Sequence, residues 1–315
     1  MQYPSFSIVI PTYQRRDTVC EAVRSVANVE YQGAVEIIVV VDGSTDGTEA
    51  ALEAISCPFP KKIVRQENRG AAAARNRGAA EATGDIILFI DDDMLCSADV
   101  VRQHAESYRA GADAVVGDFP LDAASPKGFI SEWIRQQAHW DRGEVLTPFD
   151  IFTGHLSVSR VAFHSLGGFD ESFTSNGSYG NEDIDFGARL LQRNCVRYNR
   201  QAIVRQRSSV GPAEYMRRSR SLAKSDVRFS TKHPALAREL FENRGGRTSR
   251  RLQLLSRTPF VPEILAACAV GAALVALKSR FRSNRVIARL FFGAWLVNYW
   301  SAIGTELNSM PRRDN

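Results

Sequence analysis

Thr83-Gly-Asp-Ile-Ile-Leu-Phe-Ile-Asp-Asp-Asp93 is the stretch that decides the fold. An apolar run, Ile86 to Ile90, stops abruptly at Asp91, Asp92 and Asp93. A short continuous apolar run of this kind reads as a buried strand. Acids at the tip of such a strand lie at the carboxyl edge, where open α/β sheets bind their ligands. Three adjacent carboxylates repel one another and call for a cation. Hard oxygen ligands suit Mg2+ or Mn2+, ions that commonly share their coordination with substrate phosphates. The stretch therefore predicts a buried strand with a metal–diphosphate site at its end.

Working outward, strands and helices alternate. Ser7-Ile-Val-Ile10, Glu36 to Val41, Lys61 to Arg65 and Ala114 to Gly117 read as further strands. Asp17 offers a helix N-cap ahead of Val19, Ala22, Val23 and Val26, which fall at helical spacing. Asp46 and Glu49 have the spacing of a capping box at the next helix start. Gly70 to Ala82 is rich in alanine and reads as a helix. This alternation predicts a mostly parallel sheet with helices on both faces. From about residue 120 the pattern turns irregular, which suits a region that shapes a substrate better than a sheet core. A helix is expected from about Ile184 to Gln192, and an Arg-rich helical segment over 213–257.

The chain has 315 residues, 44% hydrophobic and 24% charged, an ordinary globular balance. Five scattered cysteines, Cys20, Cys57, Cys96, Cys195 and Cys268, form no CxxC pair and read as reduced thiols. No basic, apolar and cleavable segment opens the sequence, so a secretory signal is not expected. The net charge of +5 is unevenly spread. Residues 197–257 carry 16 Lys/Arg against 4 Asp/Glu, and residues 258–315 carry 7 against 3, whereas residues 1–196 carry 17 against 28. A basic second part suits an anionic partner, and nucleic acid, an anionic membrane and an anionic acceptor all have that chemistry. Two apolar segments, Ile264 to Leu277 and Ile287 to Ile303, close the chain among basic clusters. A crossing hairpin would place Lys278 to Arg285 outside, against the positive-inside rule. Helices lying in the membrane interface fit better, and a packed helical pair or an oligomer contact is the alternative.

Four segments line up along the chain. Ile8-Val-Ile-Pro-Thr-Tyr13 ends the first strand, and Val41-Asp-Gly-Ser-Thr-Asp-Gly47 ends the second. Arg69-Gly-Ala-Ala-Ala-Ala-Arg-Asn-Arg-Gly78 opens a helix, and Asp91-Asp-Asp93 ends the next strand. Gly167-Gly-Phe-Asp-Glu171 and Gly180-Asn-Glu-Asp-Ile-Asp-Phe-Gly-Ala-Arg189 follow. The ordered set, over about residues 5–200, resembles the family 2 glycosyltransferases of the GT-A fold. That resemblance implies an α/β, Rossmann-like, mostly parallel sheet with a C-terminal helical segment. It divides the chain into a nucleotide-sugar-binding half (1–120), an acceptor-binding half (121–235) and a basic C-terminal helical region (236–315).

The resemblance also implies an inverting sugar transfer from a nucleotide-diphosphate sugar, a UDP-sugar above all. The acceptor would be a hydroxyl of a glycan or lipid-linked sugar at the cytoplasmic face of the membrane. The implied partners are that donor, that acceptor and an anionic membrane, without nucleic acid. The implied cofactor is a divalent metal, Mn2+ or Mg2+, on Asp91 and Asp93. Pro11, Tyr13 and Asp42 would bind the base, and Arg75, Asp91 and Asp92 the rest of the donor. Asp183 would be the general base, since a sugar hydroxyl of high pKa needs a carboxylate to take its proton. Glu182 would orient the acceptor. From the residues alone, Asp42 can also be an Asx-type turn acid, Arg75 a clamp for the acid cluster or a plain exposed helix residue, and Asp185 a helix-turn acid. Trp133 and Trp140 are candidates to stack on sugar faces. Two departures stand out. Val41 occupies a position where relatives often carry a first acid. The strand Ala202-Ile-Val-Arg-Gln-Arg207 lacks the histidine that completes the metal shell in many relatives, leaving Gln206 as the nearest substitute and His155 and His233 as alternatives. A sugar nucleotidyltransferase and a non-catalytic sugar-nucleotide-binding membrane scaffold are the competing classes. The first should carry a Gly-rich basic loop after the first strand, which Pro11-Thr-Tyr-Gln-Arg15 is not.

Overall fold

The computed structural model describes residues 3–125, 130, 145–175, 179–207, 210–244, 255–258, 260–277 and 285–309. Trp133 and Trp140 lie outside the described residues. The chain folds as two compact units. The first comprises residues 1–125, 138–176 and 182–208, and the second residues 126–137, 177–181 and 209–315.

The first unit is built on one eight-stranded sheet, in the order β3-β2-β1-β4-β7-β6-β8-β5. Its strands are β1 (Phe6–Thr12), β2 (Val35–Asp42), β3 (Lys61–Gln66), β4 (Ile86–Ile90), β5 (Met94–Cys96), β6 (Ala114–Asp118), β7 (His155–Ser159) and β8 (Val196–Gln206). Strands β3, β2, β1 and β4 run parallel, so all four carboxyl ends open on one edge. The Ile86–Ile90 run is wholly buried, as a strand covered on both faces must be. Helices α1 (Arg16–Val26), α2 (Thr48–Glu53), α3 (Ala71–Glu81), α4 (Val100–Arg109), α5 (Arg160–Ser165) and α6 (Glu182–Leu190) complete the unit. Two apolar clusters flank the sheet. One joins Ile8, Ile10, Ile37, Val39, Leu88 and Ile90 to the inner face of α1. The other joins Val9, Ile38, Ile87 and Phe89 to α3, α5 and α6. The expected α/β sheet is therefore present.

Three local expectations are corrected. Helix α1 begins at Arg16, so Asp17 sits in its first turn, where the helix dipole favours an acid, and is not the N-cap. No capping box forms between Asp46 and Glu49, because Gly47, left-handed at φ 80°, is the N-cap of α2. Asp46 instead accepts from the backbone N–H of Arg16 at 2.9 Å and from Thr48, tying the two loops together. The stretch beyond residue 120 returns a strand to the sheet. Strand β7 lies antiparallel between β4 and β6, with His155 beside Ile90.

The second unit contains α7 (Pro212–Lys232), α8 (Ala237–Asn243), α9 (Val261–Leu277) and α10 (Arg285–Ser309). Met216 of α7, Ala273 of α9, and Phe291 and Ala294 of α10 form one core, and Ala223 and Val227 pack with Tyr299 and Ile303 in another. The long Arg-rich helix ends at His233-Pro234, since a proline ring disfavours helical backbone in the residue before it. Among the described residues, α10 alone is long and apolar enough to cross a membrane, by length and composition. Helix α9 is shorter, and leaves Ile264, Leu274 and Val275 exposed.

Beneath the sheet edge, His104 and His155 are fully buried and meet Nε2 to Nε2 at 3.0 Å. His104 Nδ1 lies 2.8 Å from Ser157 Oγ, and His155 Nδ1 lies 3.0 Å from the carbonyl of Asp118. Burial and the neighbouring His155 hold the His104 pKa well below its ordinary value of 6.5. His104 is thus neutral in the fold while the unfolded chain takes up a proton below pH 6.5. Its contribution is complete above that pH and is lost as the pH falls below it. One such proton lowers the unfolding free energy by about 1.4 kcal/mol at pH 5.5 relative to pH 7.5. Denaturant unfolding across pH 5–7.5 should show this slope, and His104→Gln should flatten it.

Candidate active site

The parallel edge collects the sequence motifs. The loop after β1 and the loop after β2 are stitched together there. Gln14 donates its N–H to Ser44 Oγ and its side-chain amide to Thr45 Oγ1, each at 2.9 Å. Gln14 is held at φ 52°, a left-handed conformation uncommon for a non-glycine residue. Pro11 is buried at the base of this edge. The Tyr13 side chain stands out from it, 48% exposed, with its ring available to a flat ligand.

Asp42, at the tip of β2, is buried and fixes the start of α3. Its Oδ1 accepts from the Gln66 amide at 2.7 Å and from the Arg69 N–H at 2.9 Å, and its Oδ2 accepts from the Gly70 N–H at 2.8 Å. Gly70 has φ 90°, and a Cβ there would come within 2.1 Å of the Thr174 carbonyl oxygen. Glycine is required on both counts. The same approach lets Thr174 Oγ1 accept from the Ala72 N–H at 3.0 Å. Asn76 of α3 then reads the Gly167–Glu171 segment. It donates to the Phe169 carbonyl and accepts from the Phe169 N–H, both at 2.9 Å. Phe169 itself packs edge-on to Phe89 of β4. Helix α3 is therefore the brace between the two motif groups.

Arg75 is the centre of that brace. Its guanidinium donates through Nη2 to Asp91 Oδ1 at 2.6 Å and through Nη1 to Glu182 Oε1 at 2.9 Å. Its side chain is 6% exposed. Burial disfavours the charged guanidinium, but the two carboxylates outweigh it and raise the Arg75 pKa. The result is one buried cation joining the acid at the end of β4 to the acid at the start of α6. Glu182 Oε2 is buried without a hydrogen-bond partner, as is Arg75 Nε. A buried unpartnered carboxylate oxygen is a position for a ligand hydroxyl. Asp183 follows, half-buried, with Oδ1 accepting from the Ile184 N–H at 2.8 Å. Asp185 is fully buried and paired with Arg189 at 2.8 Å, one helical turn on.

The acidic triplet splits by direction. Asp92 is buried and takes a hydrogen bond from Thr12 Oγ1 at 2.8 Å and one from Arg15 Nη1 at 2.5 Å. Burial raises the Asp92 pKa, against the opposing pull of Arg15. Arg15 also lies 3.6 Å from Asp93 Oδ2. The three carboxylates that called for a cation thus already face two guanidinium groups, Arg15 and Arg75. Arg15 was not expected in this role. Its signal in the sequence is its place just past the end of the strand beside β4.

A divalent ion finds a narrower seat than the sequence suggested. No cluster of three or more His, Cys, Asp or Glu side chains suited to a metal occurs among the described residues. His155 is committed to His104 and the Asp118 carbonyl. His233 lies at the end of α7, its ring tilted against Phe229 with centroids 4.7 Å apart. Gln206 pairs in register with Met94, the residue after Asp93. Gly154 lies close against Asp91, since a Cβ there would fall 2.5 Å from the Phe152 ring and 2.7 Å from Asp91 Oδ2. The donor chemistry of Asp91 and Asp93, two hard carboxylates, would suit an oxygen-seeking ion that takes its other ligands from a diphosphate and water.

Comparison with known proteins identifies the family and the fold. Residues 7–156 match the family model described as glycosyl transferase family 2, and residues 147–209 match one described as the N-terminal domain of galactosyltransferase. The chain belongs to the family 2 glycosyltransferases. A validoxylamine A glucosyltransferase of Streptomyces hygroscopicus subsp. jinggangensis is 28% identical over 282 residues, covering 77% of this chain and 65% of that protein. The chain thus spans less than two thirds of that relative. A mannosyltransferase from Pyrobaculum calidifontis, solved with GDP-Man and Mn2+, superposes with a TM-score of 0.59 at 21% identity, over 95% of this chain and 88% of its own. TarS 1–349 of S. aureus, solved with UDP, gives 0.56 at 19% identity, over 99% of this chain and 93% of its own. At these identities the likeness establishes the GT-A fold.

Replacing Arg75 should be costly, because buried Glu182 and half-buried Asp91 would both lose their partner. Arg75→Ala is expected to lower the unfolding free energy by about 3–5 kcal/mol. Arg75→Lys, which offers a point charge in place of a two-armed fork, should recover only part of it. Equilibrium denaturation checks both.

Proposed function

We propose that the protein is an inverting glycosyltransferase that moves a sugar from a nucleotide-diphosphate sugar to a hydroxyl of a glycan or lipid-linked acceptor. The observation that carries this reading is the Asp91–Arg75–Glu182 bridge, which ties a donor-side acid to an acceptor-side acid through one buried cation.

In this reading the base lies against the exposed Tyr13 ring over Pro11. Asp42 holds the Arg69–Gly70 backbone that walls the base site, with acceptor capacity left on Oδ2 for an imide N–H. Asp91 and Asp93 would hold a divalent ion, which when bound stabilises charge on the leaving diphosphate. Arg75 holds Asp91 in place through the Nη2–Oδ1 bond. Asp92, locked to Thr12 and Arg15, fixes the loop that carries its two neighbours. Glu182 Oε2 accepts a hydrogen bond from the acceptor sugar and orients it. Asp183 takes the proton of the attacking hydroxyl as the new bond forms on the face opposite the leaving group. An orienting carboxylate and a positioned base together convert a weak sugar nucleophile into a reactive one.

We also infer that the C-terminal helices meet an anionic membrane from its cytoplasmic side. The 16 Lys/Arg against 4 Asp/Glu over residues 197–257 supply the attraction. Exposed Ile264, Leu274 and Val275 on α9 supply apolar contact. A lipid-linked acceptor suits an enzyme at that surface.

The test has two arms. A thermal-shift screen of UDP-, GDP- and dTDP-sugars, with and without Mn2+, should find one donor whose stabilisation grows with the metal. Asp183→Asn should keep that stabilisation and lose transfer by on the order of 100-fold or more. Transfer that survives Asp183→Asn removes it as the base, and a flat screen removes the donor class.

A further inference from the structure

The residue directly before Glu182 is held by a polar cluster that the reaction chemistry does not call for. Asn181 has φ 71° and is 1% exposed. A non-glycine residue keeps this left-handed conformation when its surroundings over-determine it. Here they do. Asn181 Nδ2 donates to Asp226 Oδ1 at 2.6 Å, and Asn181 Oδ1 accepts from Arg244 Nη2 at 3.2 Å. Gly180, at φ 94°, has its carbonyl engaged by the Ser225 hydroxyl. The Asp226 Oδ2 atom accepts from Tyr299 O–H at 2.5 Å and from Arg244 Nε at 3.2 Å. Asp226 is wholly buried on α7, and Tyr299 is wholly buried on α10.

A buried carboxylate of this kind is a poor choice for stability alone. A well-packed apolar group of the same size is often as stable or more so, because desolvating the charge is costly. What the carboxylate adds is direction. It fixes the side chain of Asn181, and with it the backbone angles at the last residue before α6. Those angles set how the first turn of α6 presents Glu182 and Asp183. We propose that Asp226 is a positioning residue for the Glu182–Asp183 acid pair, acting through Asn181, with Tyr299 and Arg244 holding Asp226 in turn. The proposal rests on the reading of Glu182 and Asp183 given above.

The experiment compares four variants of the full chain: Asp226→Asn, Asn181→Ala, Asn181→Gly and a control, Asn298→Ala. Asn298 is 4% exposed on α10 and bonds Ser219 Oγ at 2.7 Å and Arg220 Nε at 2.9 Å. Hydrogen exchange is followed in the peptide covering 179–190, and transfer is followed with UDP-glucose and GDP-mannose in the presence of Mn2+. Asp226→Asn and Asn181→Ala should speed exchange in that peptide and lower kcat, by up to about 100-fold for a misplacement near 1 Å, with UDP affinity held within about twofold. Asn181→Gly should fall between these and the parent, since glycine adopts the required φ without help. The control should lower Tm without moving either readout. Unchanged exchange in both Asp226→Asn and Asn181→Ala overturns the proposal, as does a control that reproduces their effects at equal loss of Tm. Should Asp226→Asn not fold, the Asn181 pair decides. Exchange needs no substrate, so the proposal stands or falls by it even if Asp183 proves not to be the base.

Discussion

Everything at the sheet edge depends on one buried guanidinium. Asp91 and Glu182 are 91 positions apart in sequence, and each comes from an element with its own reasons for being where it is. Asp91 is placed by an apolar strand buried on both faces. Glu182 is placed by the start of a helix whose Phe186 and Leu190 pack in the same core as Phe89. Arg75 pairs with both acids and sets the spacing between them. Its own position is set by small residues: Ala72, Ala73 and Ala74 are buried along α3, and Gly78 fits against Val9, where a Cβ would come within 2.3 Å. The alanine-rich composition of that helix is thus a consequence of how close it must lie to the sheet.

The fold was legible where the chain follows simple periodicities. Ile86–Ile90 and Glu36–Val41 are apolar runs of strand length, and both are strands. Strand β7 was not legible. His155-Leu-Ser-Val-Ser159 is short and has polar residues at alternate positions, two of which, His155 and Ser157, are buried by bonding to His104. A polar residue satisfied by a distant partner looks like a surface residue in the sequence. Helix starts failed for a related reason. Asp17 and Asp46 have the composition of caps, but the chain uses Asp46 across a loop, through a partner 30 positions away.

The site was half legible. The positions of Asp42, Asp91 to Asp93, Glu182 and Asp183 follow from strand and helix ends, which sequence marks well. Their partners do not, because pairing is a three-dimensional property. Asp92 carries the same side chain as its neighbours, yet the turn after β4 directs it toward Thr12 and Arg15. The same holds for Asn181, which reads as a turn residue and is in fact clamped by Asp226 on a helix 45 positions away. Crowded acids pointed the sequence reading to a metal ion, and in the fold two arginines, Arg15 and Arg75, already lie against them.

The most direct measurement of the central claim is a double-mutant cycle on unfolding free energy, using Asp91→Asn, Glu182→Gln and the pair. If Arg75 joins the two acids into one unit, each single change alters how the guanidinium meets the other acid. The pair should then differ from the sum of the singles by about 0.5–3 kcal/mol. Additivity within about 0.3–0.5 kcal/mol would mean that the two acids are independent and that no common cation couples the end of β4 to the start of α6.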